Sequence, residues 1–244
     1  MYFTSVSFHS RTAPVYNLNT AAASCALALF RINVPSSATL NQPHDEVVHG
    51  KSSLLNKMPG DEWRQFANVR AFLAYMWAHP GKKLLFMGQE IGQREEWNHD
   101  AGVRWELLEF EPHRKLQTLM RELNRLYRAS PSLYQVDFHY SGFEWVDFRD
   151  SENSVISFLR RAEDPADFLL ICCNFTPVPR QGYEIGVPEE GFYEEVLNTD
   201  SELFGGSNIG NGGLVSSRPK VCHNRPYSIA VTLPPLAVVV FRKR

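Results

Sequence analysis

The sequence has no surplus of basic charge. Its 25 Lys and Arg stand against 27 Asp and Glu, a formal charge of −2. Phosphate backbones and anionic membrane surfaces reward a clear basic excess, so neither nucleic acid nor membrane is expected as a main partner. Cysteine is scarce. Four of them, Cys25, Cys172, Cys173 and Cys222, in 244 residues exclude a disulfide framework. No CxxC and no Cys/His quartet is present, so no structural metal is expected, and no cofactor either. No run of 18 apolar residues occurs, which excludes a membrane-spanning helix. The nearest approach, Thr20–Phe30, is preceded by only one fixed charge, Arg11, and makes a poor secretory signal. With the cysteines read as reduced, a cytoplasmic chain is expected. Internal repeats are lacking. So is a phosphate loop: the glycines of Gly205–Gly213 follow no strand-to-helix turn and no Lys-Ser/Thr closes them. Residues 1–43 contain no Asp or Glu at all, which sets them apart as an unmatched leader, with one candidate strand at Leu27–Val34.

What is present is globular. Hydrophobic residues make up 43% and charged residues 21%, over a length that suits one large domain or two ordinary ones. Aromatics, at 12%, serve cores and also suit uncharged ligands such as sugars. Asp61 follows Pro59-Gly60 as a helix N-cap, and Phe66, Val69, Leu73, Met76 and Trp77 then recur at helical spacing until His79-Pro80-Gly81. Lys83–Gly88 is a short continuous apolar run. Its length and place predict a strand buried on both faces, as in a parallel sheet. A long loop, Gln89 to Glu111, precedes a second helix from Pro112 to Ala129, with Leu116, Leu119, Met120, Leu123, Leu126 and Tyr127 on one side.

The period then changes from helical to alternating. Strands are predicted at Phe143–Phe148, Ser154–Arg160, Phe168–Phe175, Tyr183–Val187, Phe192–Leu197, Tyr227–Leu233 and Leu236–Arg242, separated by Gly, Pro, Asp and Asn turns. Seven short strands of this kind predict an antiparallel β-sandwich, and the change of period places the domain boundary near residue 131. On a strand, Cys172 and Cys173 point to opposite faces, as small core residues. The sandwich is expected to fold by itself.

The densest chemical cluster is His44-Asp-Glu-Val-Val-His-Gly-Lys51. The residues alone admit three readings. On a helix the two histidines, five apart, stand about 140° apart in azimuth, which is not the shared face of a metal-binding H-E-x-x-H. At a strand end, His44 and Asp45 side by side can hydrogen-bond the vicinal hydroxyls of a sugar. The third reading is a solvated charged turn. Further on, Trp97 can stack on a sugar face with Asn98 and His99 bonding hydroxyls, or can pin a long loop. Trp105 and Trp145 read as packing residues.

From His44 onward the chain resembles the C-terminal part of the 1,4-α-glucan branching enzymes of the α-amylase superfamily. The resemblance rests on His44–Lys51, Lys57-Met-Pro-Gly-Asp-Glu-Trp63, Phe66-Ala-Asn68, Pro80–Gly88, Glu96-Trp-Asn-His-Asp100, Asn174-Phe-Thr-Pro-Val-Pro179, Leu197-Asn-Thr-Asp200, Gly206-Ser-Asn208, Gly210-Asn-Gly-Gly213 and Leu233-Pro-Pro-Leu-Ala237. These stretches are in order and cover about 200 of the 244 residues. They imply a fold of mixed class, α/β plus all-β: the last two βα units of a truncated (β/α)8 barrel over 44–130, then a β-sandwich over 131–244. His44-Asp45 would end barrel strand seven and Lys83–Gly88 would be strand eight, so both face the rim where such barrels keep their chemistry.

The resemblance also implies a reaction. An aspartate attacks the anomeric carbon, a glutamate protonates the leaving oxygen, and the 6-hydroxyl of another glucan chain replaces water, giving an α-1,6 branch. The two carboxyls stand about 5–5.5 Å apart. Asp45 corresponds to a third acid that stabilises the distorted sugar, and His44 to its hydrogen-bonding neighbour. Glu46 matches no assigned role. The partner implied is an α-1,4-glucan, glycogen or amylose-like. The departure from the family is as informative. Its nucleophile and acid precede the His-Asp motif, and residues 1–43 hold no carboxylate to match them. Pro43 also enters the motif without a ladder N–H. The expectation is therefore a fragment, incompetent alone. Its strand Lys83–Gly88 would carry an exposed edge through which it associates, with Leu27–Val34 as a substitute neighbour. A non-catalytic glucan-binding or docking module is the alternative, and a hydrolase of the same superfamily fits the matches less well.

Overall fold

The computed structural model describes Gly50 and residues 52–244. The leader, the strand expected at Leu27–Val34, and His44, Asp45 and Glu46 lie outside the described residues.

Among the described residues, three helices come first. The short α1, Leu54–Lys57, starts where the Ser53 side chain accepts from the Asn56 N–H. Helix α2, Glu62–Ala78, starts at Asp61, whose carboxylate accepts from the Arg64 N–H at 2.9 Å and so satisfies one of the orphan donors of the first turn. It stops at His79, before Pro80, which disfavours helical geometry in its predecessor. Helix α3, Glu111–Ala129, carries Pro112 in its first turn, where the missing N–H costs nothing. It ends before Ser130-Pro131.

Eight strands follow among the described residues, every pair of them antiparallel. β1 (Phe143–Asp147), β2 (Val155–Arg161), β3 (Phe168–Asn174), β5 (Phe192–Asn198), β6 (Leu214–Ser216) and β8 (Ala237–Lys243) form one sheet in the order β1-β2-β3-β8-β5-β6. β4 (Arg180–Val187) and β7 (Tyr227–Leu233) form a second, two-stranded sheet. The seven predicted strands are all present, within three residues at each end. The three-residue β6 is the one the alternation missed.

The central sheet is buried on both faces, and its period of two assigns each side chain to a face. Phe168, Leu170 and Cys172 of β3, with Val239 and Phe241 of β8, meet Ile185, Val187, Ile229, Val231 and Leu233 of the small sheet. Leu169, Ile171 and Cys173, with Val238 and Val240, meet Val69, Leu73, Met76, Leu116 and Leu123 of α2 and α3. Cys172 and Cys173 thus point to opposite faces, each a fully buried free thiol. The result is three layers, helices on the large sheet on the small sheet, and one core runs across position 131.

Arg160 of β2 locks the layers together. It is fully buried and donates to the carbonyls of Gly142 (3.2 Å), Ala78 (2.7 Å) and Leu133 (3.1 Å) while pairing with Asp137 at 2.8 Å. Ala78 is the last residue of α2, whose final carbonyls have no intrahelical donor.

One local prediction is corrected. Lys83–Gly88 is not a strand buried on both faces: only Leu84 makes a β-bridge, and Leu84 and Met87 are 49% and 43% exposed. The backbone instead turns at Gly88, with φ of 86°, into a short 3-10 turn, Gln89–Ile91. An apolar run becomes a buried strand only when neighbours flank it. Among the described residues no parallel pair of strands occurs, and the barrel part of the expected fold is not seen there. No helix among them is long and apolar enough to cross a membrane.

Candidate functional site

The loop between Gly88 and α3 holds the sequence-predicted residues Trp97, Asn98 and His99. It is irregular but well anchored. Arg94 donates from Nη1 to Asn56 Oδ1 and to Gln65 Oε1, both at 3.1 Å, and pairs with Glu62 at 3.0 Å, which ties the loop to α1 and α2. His113 of α3 donates from Nδ1 to the Ile91 carbonyl at 2.7 Å, with both residues buried. Arg104 pairs with Glu95 at 3.0 Å, and with Glu106, on the outer side.

Within this frame Trp97 is half-buried. Its ring meets Phe86 edge to face, 5.6 Å between centroids, and His99 at 6.3 Å. Trp97 therefore takes part in packing, while Asn98 and His99 beside it are exposed. Asn98 Oδ1 accepts from the Asp100 N–H at 2.9 Å, the turn that such residues favour. His99 lies 3.2 Å from Asp100, with both side chains about three-quarters exposed, so that pair adds little stability.

Glu96 is the residue that sequence reasoning did not single out. Its carboxylate accepts from the Gly50 N–H at 3.0 Å and from the Ser52 N–H at 2.6 Å. Both residues have positive φ, 80° and 67°, so their amides converge on one anion as a backbone nest. Gly50 belongs to the cluster that begins at His44. The Trp97-Asn98-His99 segment is thereby fastened next to the residues that follow His44-Asp45. The signal in sequence was faint: Glu96 is one of three acids, with Glu95 and Asp100, around the aromatic and amide side chains of this motif.

Of the two residues expected to pack, Trp105 is 56% exposed and Trp145 is 39% exposed. Trp145 does pack, at 4.9 Å from Phe143 and 5.7 Å from Phe158. Trp105 stands on a 3-10 turn, Trp105–Glu109, that contains no buried residue. Exposed tryptophan is tolerated where a ligand or a neighbour uses it.

Residues 145–244 match the family model of the α-amylase C-terminal all-β domain. Over 199 residues, 82% of this chain, it is 57% identical to the 1,4-alpha-glucan branching enzyme GlgB of Saccharophagus degradans. It is 53% identical to that of a Nostoc species and 52% to that of Aquifex aeolicus, again over 82% of this chain. The chain is homologous to the C-terminal region of the 1,4-α-glucan branching enzymes. It covers 27%, 26% and 32% of these three relatives, so this homologue spans a quarter to a third of their length. A solved debranching enzyme from Nostoc punctiforme superposes with a TM-score of 0.53 at 14% identity, over 80% of this chain and 34% of that one, and shares its fold. In this branching-enzyme homologue, then, the three-layer fold and the anchored loop belong to a region shared with glucan-branching proteins.

Proposed function

We propose that this chain supplies the glucan-facing rim of a branching enzyme: a third acid, Asp45, with His44 beside it, and the hydroxyl-binding loop Trp97-Asn98-His99. The observation that carries the reading is the Glu96 clasp, which fastens that loop beside the segment leading out of His44-Asp45. In this role Asp45 accepts from ring hydroxyls and stabilises positive charge at the anomeric carbon, His44 donates to the same sugar, and Trp97 packs against a glucose face. Retaining transfer also needs a nucleophile and an acid about 5–5.5 Å apart. The 244 residues contain no Asp or Glu before Asp45, so these residues alone bind glucan without transferring it.

The test is twofold. The purified chain should leave the iodine colour of amylose unchanged, and its migration should be retarded in amylose-containing gels, with the retardation lost in Asp45→Ala and Trp97→Ala. Robust branching would overturn the first half and absence of retardation the second. A docking module is the second reading, favoured by the exposure of Leu84 and Met87. Concentration-dependent self-association, abolished in the Leu84→Ser/Met87→Ser double variant, would support it.

A further inference from the structure

A cleft of about 380 Å³ opens on the far side of the helices, between the start of α2, the start of α3 and the Gly205-Gly206 turn. Its volume lies in the range of small-ligand sites, roughly 300–1,000 Å³. None of its residues belongs to the Trp97 loop.

Arg70 forms the floor. It is 3% exposed, deep in α2. Its Nε donates to the Thr199 carbonyl at 3.0 Å. Its two Nη groups donate to no acceptor among the described residues and reach the cleft, of which Arg70 is a lining residue. Burial lowers the guanidinium to about 10, with Asp200 opposing the fall, so it stays a cation at neutral pH. Asp200 does not neutralise it by contact: its carboxylate accepts from Ser207 N–H at 2.9 Å, Ser207 Oγ at 2.6 Å and Ile209 N–H at 3.2 Å. A buried cation without a contacting anion is costly unless a ligand or water completes it.

One further feature agrees. The indole of Trp63, 38% exposed, stands 5.8 Å from the Arg70 guanidinium and forms a flat wall. The acids of the rim are already engaged: Glu62 with Arg94 at 3.0 Å and Glu111 with Lys115 at 2.6 Å.

We propose that this cleft binds a hexose phosphomonoester, its ring stacked on Trp63 and its phosphate received by the Arg70 Nη groups. A neutral sugar would find the aromatic wall but leave the guanidinium unmatched. A bare phosphate would match the charge but leave the wall unused. The ligand that uses both has a sugar face and an anionic end, and a guanidinium meets phosphate oxygens in a bidentate fork.

Calorimetric titration of the whole chain at low salt tests this, with α-glucose 1-phosphate, glucose 6-phosphate, inorganic phosphate and maltohexaose as probes. One of the two sugar phosphates should bind at least about tenfold more tightly than inorganic phosphate or maltohexaose, in line with one charged contact plus one stacking contact. Its addition should shift the amide resonances of Gly205 and Gly206. Trp63→Ala should weaken the sugar phosphate about tenfold and leave inorganic phosphate unchanged. Arg70→Lys should weaken both. Because Arg70 is buried, its variant counts only if the circular dichroism is native; the exposed Trp63 keeps the test decisive otherwise. Equal affinity for inorganic phosphate and the sugar phosphates would overturn the proposal. So would tighter binding of maltohexaose at these glycines, or no binding by any probe.

Discussion

Arg160 Nη1 donates to the carbonyl oxygen of Ala78 at 2.7 Å, across 82 residues of sequence. The last carbonyls of a helix need donors from outside it, and here a strand of the sandwich provides one. The same guanidinium reaches Leu133, Gly142 and Asp137. Helix end, connecting segment and sheet therefore share one buried cation, and the two halves expected from the change of period are bonded at their seam.

Removing that cation should be severe. In Arg160→Met the carboxylate of Asp137, 5% exposed, loses its partner, and three carbonyls lose their donor. Breaking a buried pair from one side costs about 3–5 kcal/mol. Urea unfolding should show a loss of that order. Arg160→Met/Asp137→Leu should recover part of it, because no buried charge is then left over. A double variant no better than the single would mean that the carbonyl bonds, not the ion pair, dominate.

The sandwich alone should fold and then associate. Residues 131–244 keep every strand ladder, so far-ultraviolet dichroism should report β-structure. Without α2 and α3, however, Leu169, Ile171, Val238 and Val240, all buried beneath the helices, face water. An apolar patch of that kind drives self-association. Sedimentation velocity should give oligomers for this piece and slower species for the whole chain. A monodisperse monomer of 131–244 would show that the sheet face tolerates exposure.

The parts of the fold legible in sequence were those with a period. Cys172 and Cys173 could be placed on opposite faces because a strand alternates, and Asp61 could be placed at a helix start because its side chain has an orphan N–H to take. What was illegible depends on partners distant in the chain. Arg160 sits among apolar strand residues and nothing local announces that it turns inward to Ala78. Lys83–Gly88 reads as a buried strand by composition, yet Leu84 and Met87 are exposed because strand neighbours, not composition, bury a run. For the candidate site, Trp97, Asn98 and His99 were readable as sugar-binding types, while Glu96, which clasps the backbone of Gly50 and Ser52, was just another acid.

His79 carries a prediction for pH. Its ring lies among Tyr75, Phe143 and Phe158, with centroids at 5.4, 5.4 and 6.4 Å. Burial lowers its pKa from 6.5 to about 4, with the nearby Lys83 and Arg160 acting the same way and Pro80 and Asp137 opposing. The unfolded chain therefore takes up a proton between about pH 6.5 and pH 4 that the folded chain does not. Stability present above pH 6.5 is lost progressively as pH falls toward 4, by up to about 3 kcal/mol from this group. The dependence of unfolding free energy on pH over that interval should flatten in His79→Phe. An unchanged slope would assign the acid sensitivity to other groups.

Glu96 carries the last prediction, since it joins two segments that no sheet or helix connects. The Glu96→Gln variant keeps the shape and one acceptor oxygen but removes the charge shared by the amides of Gly50 and Ser52. Hydrogen bonds to a charged acceptor contribute about 1.5–3 kcal/mol when buried. With Gly50 exposed, about 1 kcal/mol is the expected loss, which corresponds to roughly a fivefold rise in the exchange rate of these two amides. Amide exchange by nuclear magnetic resonance should register the rise at Gly50 and Ser52 and leave Leu170 and Val239, at the centre of the large sheet, unmoved. The strain at Ser52, whose φ is 67°, sharpens the expectation: a serine in the left-handed region relaxes once the anion that gathers its N–H is weakened. If exchange at both amides is unaltered, the positive-φ turn holds itself, and Arg94 and His113 suffice to anchor the Trp97 loop.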